Sequence, residues 1–161
     1  MLWGQGSDPR PLLWQALTLA DVIKLARNEL EYLAQSSSER DVLDKLLQQS
    51  ARWVVVTDGP GAIRWYTAAG EGELRSPQVT ALDTTAAGDA FVGGLLFHLV
   101  RAGVDVAQLA GFVRDRDAME AALRFAASVG AIAVTRQGAF AAMPALQEVQ
   151  QMLRQQYEDI A

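Results

Sequence analysis

Cysteine is absent and histidine occurs once, as His98. Without thiols the chain can form no disulfide and offers no thiolate to a metal. A single imidazole cannot build a histidine-rich metal site or serve a Cys–His dyad. Metal chemistry would therefore rest on carboxylates, the donors that Mg2+ prefers. Basic residues are also sparse: 14 Lys and Arg stand against 19 Asp and Glu, a formal charge of −5, which argues against a nucleic-acid surface. Half the residues are hydrophobic, yet no run is long and unbroken enough to span a bilayer. The opening MLWGQGSDPRPLLW lacks the basic start and apolar stretch of a secretory signal. These absences fit a cytoplasmic protein with neither nucleic acid nor membrane as partner. At 161 residues the chain can bury one sizeable core, and no repeat or linker interrupts it. A single domain over 1–161 is expected.

Hydrophobic patterning then divides the chain into alternating elements. Residues 8–20 begin polar with prolines and turn helical, and DVIKL (21–25) reads as a short strand. Helices follow over 28–35 and 38–50, the second with Val42, Leu43, Leu46 and Leu47 on one face. WVVVT (53–57) is an apolar run too short for a helix and suits a strand buried on both faces. DGPG (58–61) is a turn, AIRWYTA a second strand, and the return through AAGEGELRSPQVTAL is loop-rich with at most short strands. A helix after residue 87 carries Phe91, Leu95, Leu99 and Val100 as its apolar stripe and closes at Gly103. A long alanine-rich helix spans 117–134, and a last helix ends the chain. Strands alternating with helices predict an α/β fold with a mainly parallel sheet.

One stretch concentrates chemistry. ALDTTAAGDAF (81–91) sets two acids, two threonines and a glycine among small apolar residues at a helix start. Small residues let a ligand approach the backbone. The first amides of that helix, from Ala86 to Asp89, lack helical acceptors and lie at the positive end of its dipole. Such a terminus can cradle phosphate, and Asp89 beside it could take a proton from an attacking alcohol. The same residues also suit plain capping by Asp83 or Thr84, with Asp89 favoured near the positive end. The residues alone leave both readings open. No Gly-x-x-x-x-Gly-Lys-Ser/Thr is present, and neither GQGSDP nor GEGELR completes a Gly-x-Gly-x-x-Gly after a strand.

DTTAAGDAFVGGLL resembles the second signature of the ribokinase-like (PfkB-type) carbohydrate kinases, Asp-Thr-x-Gly-Ala-Gly-Asp followed by Phe and small residues. Ala86 stands where that pattern has its first glycine. The resemblance implies a ribokinase-like fold, Asp89 as catalytic base, and the amides of Ala86, Ala87 and Gly88 as the hole for the transferred phosphoryl group. WVVVTDGPGAIRWY is similar to the family's strand–turn–strand and implies that Thr57, Gly59 and Gly61 line the nucleotide. An ordinary hairpin explains the two glycines equally well. ADVIKLARNELEYLA resembles the segment whose glutamate organises the water shell of Mg2+. With Lys24 and Leu30 in register that residue is Glu29, and Ala26 replaces the usual Asn or Ser. An alternative Asn28/Glu31 register displaces the lysine, and a solvated acidic helix face would look the same. LRFAASVGAIAVTRQGAFAAMP (123–144) resembles the closing helix and loop that flank adenine, implicating Ala127 and Gly130, although its small residues also read as tight helix packing. The resemblance further implies a monovalent-cation site, such as one for K+, at Asp83 and Thr85. His98 and the four tryptophans read as core, surface or interface residues.

The segments around Lys24 and 123–144 look most like the fructokinase branch, and the match covers only the carboxyl-terminal half of a family member. The expected reaction is ATP-dependent phosphorylation of a sugar's primary hydroxyl, fructose first, with ATP and Mg2+ required. Kinases for ribose or 2-keto-3-deoxygluconate, a non-catalytic nucleotide-binding remnant, and a purely structural α/β module are the alternatives. Because the sugar-contacting half has no counterpart here, homo-oligomerisation or association with an amino-terminal half is expected.

Overall fold

The computed structural model describes residues 8–158. Residues 1–7, within the opening read above as lacking a secretory signal, lie outside the described residues. Contacts divide the chain into two compact units: residues 1–57 with 64–72, and residues 58–63 with 73–161. Among the described residues no single helix is long and apolar enough to cross a membrane.

The first unit begins with α1 (Arg10–Leu17), as the proline-led entry predicts. Strand β1 (Val22–Ala26) alternates, with Ile23 and Leu25 buried. It runs parallel to β2 (Trp53–Thr57), pairing Val22 with Trp53 at one end and Ala26 with Thr57 at the other. Every residue of β2 before Thr57 is buried, which is why it reads as a continuous apolar run. Between them, α2 (Arg27–Ala34) and α3 (Glu39–Gln48) turn Leu30, Leu33, Val42, Leu43 and Leu46 into a core shared with Ile23, Leu25, Val54 and Val56. Helix α3 starts at a reciprocal cap. The Asp41 N–H donates to Ser38 Oγ at 3.1 Å, and the Ser38 N–H donates to Asp41 Oδ2 at 3.0 Å.

Strands β3 (Ala62–Thr67) and β4 (Gly70–Arg75) complete a mixed four-stranded sheet in the order β1-β2-β3-β4. Gly72 is required where it stands, since a Cβ there would lie 2.5 Å from the buried Trp65 ring.

The second unit is built on α4 (Ala87–Arg101) and α6 (Arg116–Val134), followed by a short 3-10 turn (Phe140–Ala142), α7 (Leu146–Leu153) and a π turn (Arg154–Glu158). The core of this unit joins Ala90, Phe125, Val129, Ile132, Ala133, Ala142 and Val149. Helix α4 ends as expected at Gly103, whose φ of +69° is left-handed. There the Gly103 N–H donates to Val100 O and the Val104 N–H to Leu99 O, at 3.1 and 2.9 Å. The expected stripe needs one correction: Val100 is 76% exposed. The buried arc of α4 is Ala90, Phe91, Gly94, Leu95 and Leu99, and Val100 lies about 100° past Leu99. Small residues, Ala90 and Gly94, occupy the centre of that arc, where a hydrophobicity pattern carries little weight.

One helix was not expected. Helix α5 (Val106–Phe112) opens on Asp105, whose carboxylate accepts from the Ala107 and Gln108 amides at 2.7 and 3.2 Å. Gln108 Oε1 returns the favour to the Asp105 N–H at 3.2 Å. The Asp-x-x-Gln spacing was a usable signal.

Candidate functional site

In the second unit, the loop before α4 is folded by its own polar groups. The N–H groups of Leu82 and Asp83 both donate to the Val134 carbonyl at the end of α6, at 2.7 and 3.1 Å. The Asp83 carboxylate then takes two further amides: Oδ1 accepts from Thr85 N–H and Oδ2 from Gly138 N–H, each at 2.9 Å. The Thr85 side chain foremost, then the Gly138 and Thr85 amides, hold its carboxyl below the usual carboxylate range. These bonds are therefore intact above the ordinary carboxylate pKa and are lost as pH falls through the lowered folded value.

The chain next passes through Ala86 at φ +59°, ψ +13°, a left-handed conformation that disfavours any residue with a Cβ. Ala86 is the residue that replaces glycine in the motif, and its backbone geometry gives the reason the motif has glycine there. Ala86→Gly is expected to stabilise the chain by about 0.5–1 kcal/mol, the relief of left-handed strain less the entropy that glycine adds to the unfolded state. Urea unfolding of the two proteins checks it.

Helix α4 begins at Ala86 without a side-chain cap. The capping alternative is thus not what the loop adopts, because the Asp83 carboxylate is turned to Thr85 and Gly138 instead. The Ala87 N–H reaches Thr84 O at 3.3 Å, and the first full helical bond runs from Ala90 N–H to Ala86 O at 2.8 Å. Gly88 and Asp89 between them are first-turn positions whose amides precede any helical acceptor. Asp89 is exposed, and its carboxylate has no hydrogen-bond or ion-pair partner among the described residues. An anion-attracting helix end with a free carboxylate beside it can orient a phosphoryl group and accept a proton.

Close approach of α6 supports this turn from below. A Cβ on Gly130 would lie 3.3 Å from the Ala87 carbonyl and 3.7 Å from Phe91 Cβ. Ala127 is 5% exposed within α6, and Ala126 and Ser128 are fully buried. The small residues of this helix thus pack it tightly. His98 rests against Phe125, ring centroids 5.4 Å apart, and burial, aided by the Arg101 charge, pushes its pKa down.

Gly59 and Gly61 shape the turn before β3. Gly59 has φ +52°, and the Gly61 N–H donates to Asp58 O at 2.8 Å. A Cβ on Gly61 would lie 2.9 Å from that same carbonyl, so the closing position needs glycine. The Gly61 carbonyl in turn accepts from the Ser76 N–H at 3.3 Å.

The first unit brings two other expected residues to one edge. Thr57 ends β2 opposite Ala26, the N-cap of α2, so Thr57 and the first turn of α2 share the carboxyl edge of the parallel pair. Edges of this kind are where open α/β sheets bind ligands. Glu29 lies in that first turn, with Oε2 accepting from the Ala26 N–H at 2.6 Å. No cluster of three or more His, Cys, Asp or Glu side chains suited to a metal exists among the described residues. One exposed carboxylate is nonetheless a donor set that fits Mg2+ held through water and substrate phosphates, which needs no protein cage. Gly138 was not anticipated as part of the site. Its only signal was a glycine in the loop after a long helix, here at φ +88°.

Solved structures define the class first. The fructokinase of Xylella fastidiosa with bound ATP matches with a TM-score of 0.93 and 46% identity, over 97% of this chain and 49% of that one. The fructokinase of Vibrio cholerae O395 with fructose, ADP and calcium ion matches with a TM-score of 0.80 and 28% identity, over 94% and 47%. The ribokinase-like α/β architecture expected from the motif is the one observed. A probable fructokinase-7 of Arabidopsis thaliana is 37% identical over 155 residues, 94% of this chain and 43% of that protein. Residues 3–146 match the pfkB family carbohydrate kinases, and the chain belongs to that family. It spans less than half the length of each of these relatives.

Proposed function

We propose that this chain is the nucleotide-binding and catalytic half of a fructokinase-type sugar kinase, transferring the terminal phosphoryl group of ATP to a primary hydroxyl of fructose. The observation that carries the reading is the uncapped first turn of α4, with the Asp89 carboxylate exposed beside unused amides. The ATP, ADP and fructose held by the two structurally similar fructokinases support the same substrates here.

In this reading the amides of Ala86, Ala87 and Gly88 face the transferred group. Asp89 accepts the proton of the attacking hydroxyl as the new O–P bond forms and ADP leaves. Positioning and electrostatics dominate such transfers. Thr57, Gly59 and Gly61 line the nucleotide, and Ala127 and Gly130 belong to the adenine side. Glu29 would hold Mg2+ through water, and the ion would offset charge on the phosphates. Asp83 and Thr85 remain the candidates for a monovalent cation. The reading includes a cytoplasmic location, which suits a chain without cysteine. It also includes association with a second copy or with polypeptide equivalent to the rest of the relatives, supported by the exposed apolar row Val92, Leu96 and Val100.

Calorimetric titration with ATP and Mg2+ tests the core of it. One-to-one binding is expected, and absence of binding would remove the nucleotide site. The second reading is a nucleotide-binding chain without turnover. A coupled ADP-release assay with fructose separates the two.

A further inference from the structure

Asp83 does more in this fold than a loop acid usually does. Its backbone N–H is tied to Val134 O, and its two carboxylate oxygens reach in different directions. Oδ1 curves the loop through Thr85 into the left-handed Ala86, the residue that aims the first amides of α4. Oδ2 crosses 55 positions of sequence to the amide of Gly138, in the segment after α6. Helix α6 is the same helix whose Gly130 lies against Ala87. One half-buried side chain thus links the loop before α4 and the segment after α6 at the two points where each changes direction.

No neutral replacement reproduces both bonds. An asparagine has a single acceptor oxygen, and its NH2 group would meet an amide donor head on. An alanine leaves both amides without a partner. The Ala86 conformation is disfavoured for its residue type and persists only where the surroundings impose it. Among the hydrogen bonds of the loop, the Asp83 pair is placed to do so.

We propose that Asp83 is a positioning residue for phosphoryl transfer: its carboxylate braces the phosphate-facing loop against the segment after α6 and so holds the Ala86–Gly88 amides in the geometry that receives the nucleotide's terminal phosphate. The proposal rests on the kinase reading above and assigns Asp83 a role distinct from ligating a cation.

The test compares the wild-type chain with Asp83→Asn, Asp83→Ala and Val149→Ala. The last removes buried core of the same unit without touching the brace. Two quantities are read below the melting transition of every protein: the affinity for ATP with Mg2+ by calorimetry, and the amide resonances of Ala86, Ala87 and Gly88 by 1H–15N spectroscopy. Asp83→Ala is expected to displace those three resonances and to weaken ATP binding tenfold or more. Asp83→Asn, with one acceptor left, is expected to fall between it and wild type. Val149→Ala is expected to lower the melting midpoint while leaving resonances and affinity near wild type. Unchanged resonances and affinity in folded Asp83→Ala would overturn the brace, as would equal changes in Val149→Ala. If the wild-type chain binds no ATP, the kinase reading fails by itself. The brace is then judged on the three resonances alone, displaced in support of it or unmoved against it.

Discussion

Asp89→Asn is expected to bind ATP with near wild-type affinity and to lose phosphoryl transfer to fructose by about 10²–10⁴-fold, the usual contribution of a positioned base. That range corresponds to roughly 3–5 kcal/mol of barrier. Asparagine preserves the shape of the side chain but cannot take up the hydroxyl proton. Its structural cost is small because Asp89 is exposed and has no partner to abandon among the described residues. The remaining loss, of negative charge near a positive helix end, is worth about 0.3–1 kcal/mol at an exposed site. Coupled ADP release and calorimetry on the same preparation separate chemistry from binding. Near-normal turnover would take the base away from Asp89, whereas lost ATP affinity would make the residue a binding group.

Two adjacent glycines of α4 should respond in opposite directions. A Cβ on Gly94 would lie 2.8 Å from Val129 Cγ2, 3.0 Å from Val129 Cβ and 3.2 Å from Ala126 Cα. The last is backbone and cannot rotate away. Gly94→Leu is therefore expected to destabilise the chain by about 3 kcal/mol or more, the upper end for overpacked cores. Gly93 has nothing within 4 Å of its would-be Cβ. Gly93→Ala should stabilise by about 0.5–1 kcal/mol through helix propensity alone. Denaturant midpoints of the two variants against wild type decide the matter. Equal and small effects would mean that α4 and α6 are not packed at the distance described.

These predictions also mark where the sequence was informative. Strand β2 was legible because burial on both faces leaves an unbroken apolar run, and α3 because Ser38 and Asp41 announce its start. The turn before α4 was legible as a motif, since the residue types that allow close backbone approach are few. Its architecture was not. Nothing local says that Asp83 spends its carboxylate on Gly138, because that bond joins positions far apart in the chain. Val100 was misassigned for a related reason: the face of α4 that meets α6 is chosen by small residues, which allow contact without advertising it. Glu29 shows the converse ambiguity, as an acid three residues into a helix serves its own cap whatever else it serves.

The left-handed Ala86 has a kinetic and thermodynamic corollary. Wherever its braces loosen, a loop held against the preference of its own residue would leave its working shape, and under the proposed site an incoming anion would wait for its return. Apparent affinity is then diluted by the competent fraction. Under the proposed nucleotide site, a glycine at this position should sharpen ATP capture as well as stiffen the fold, which titration of the Ala86→Gly variant checks.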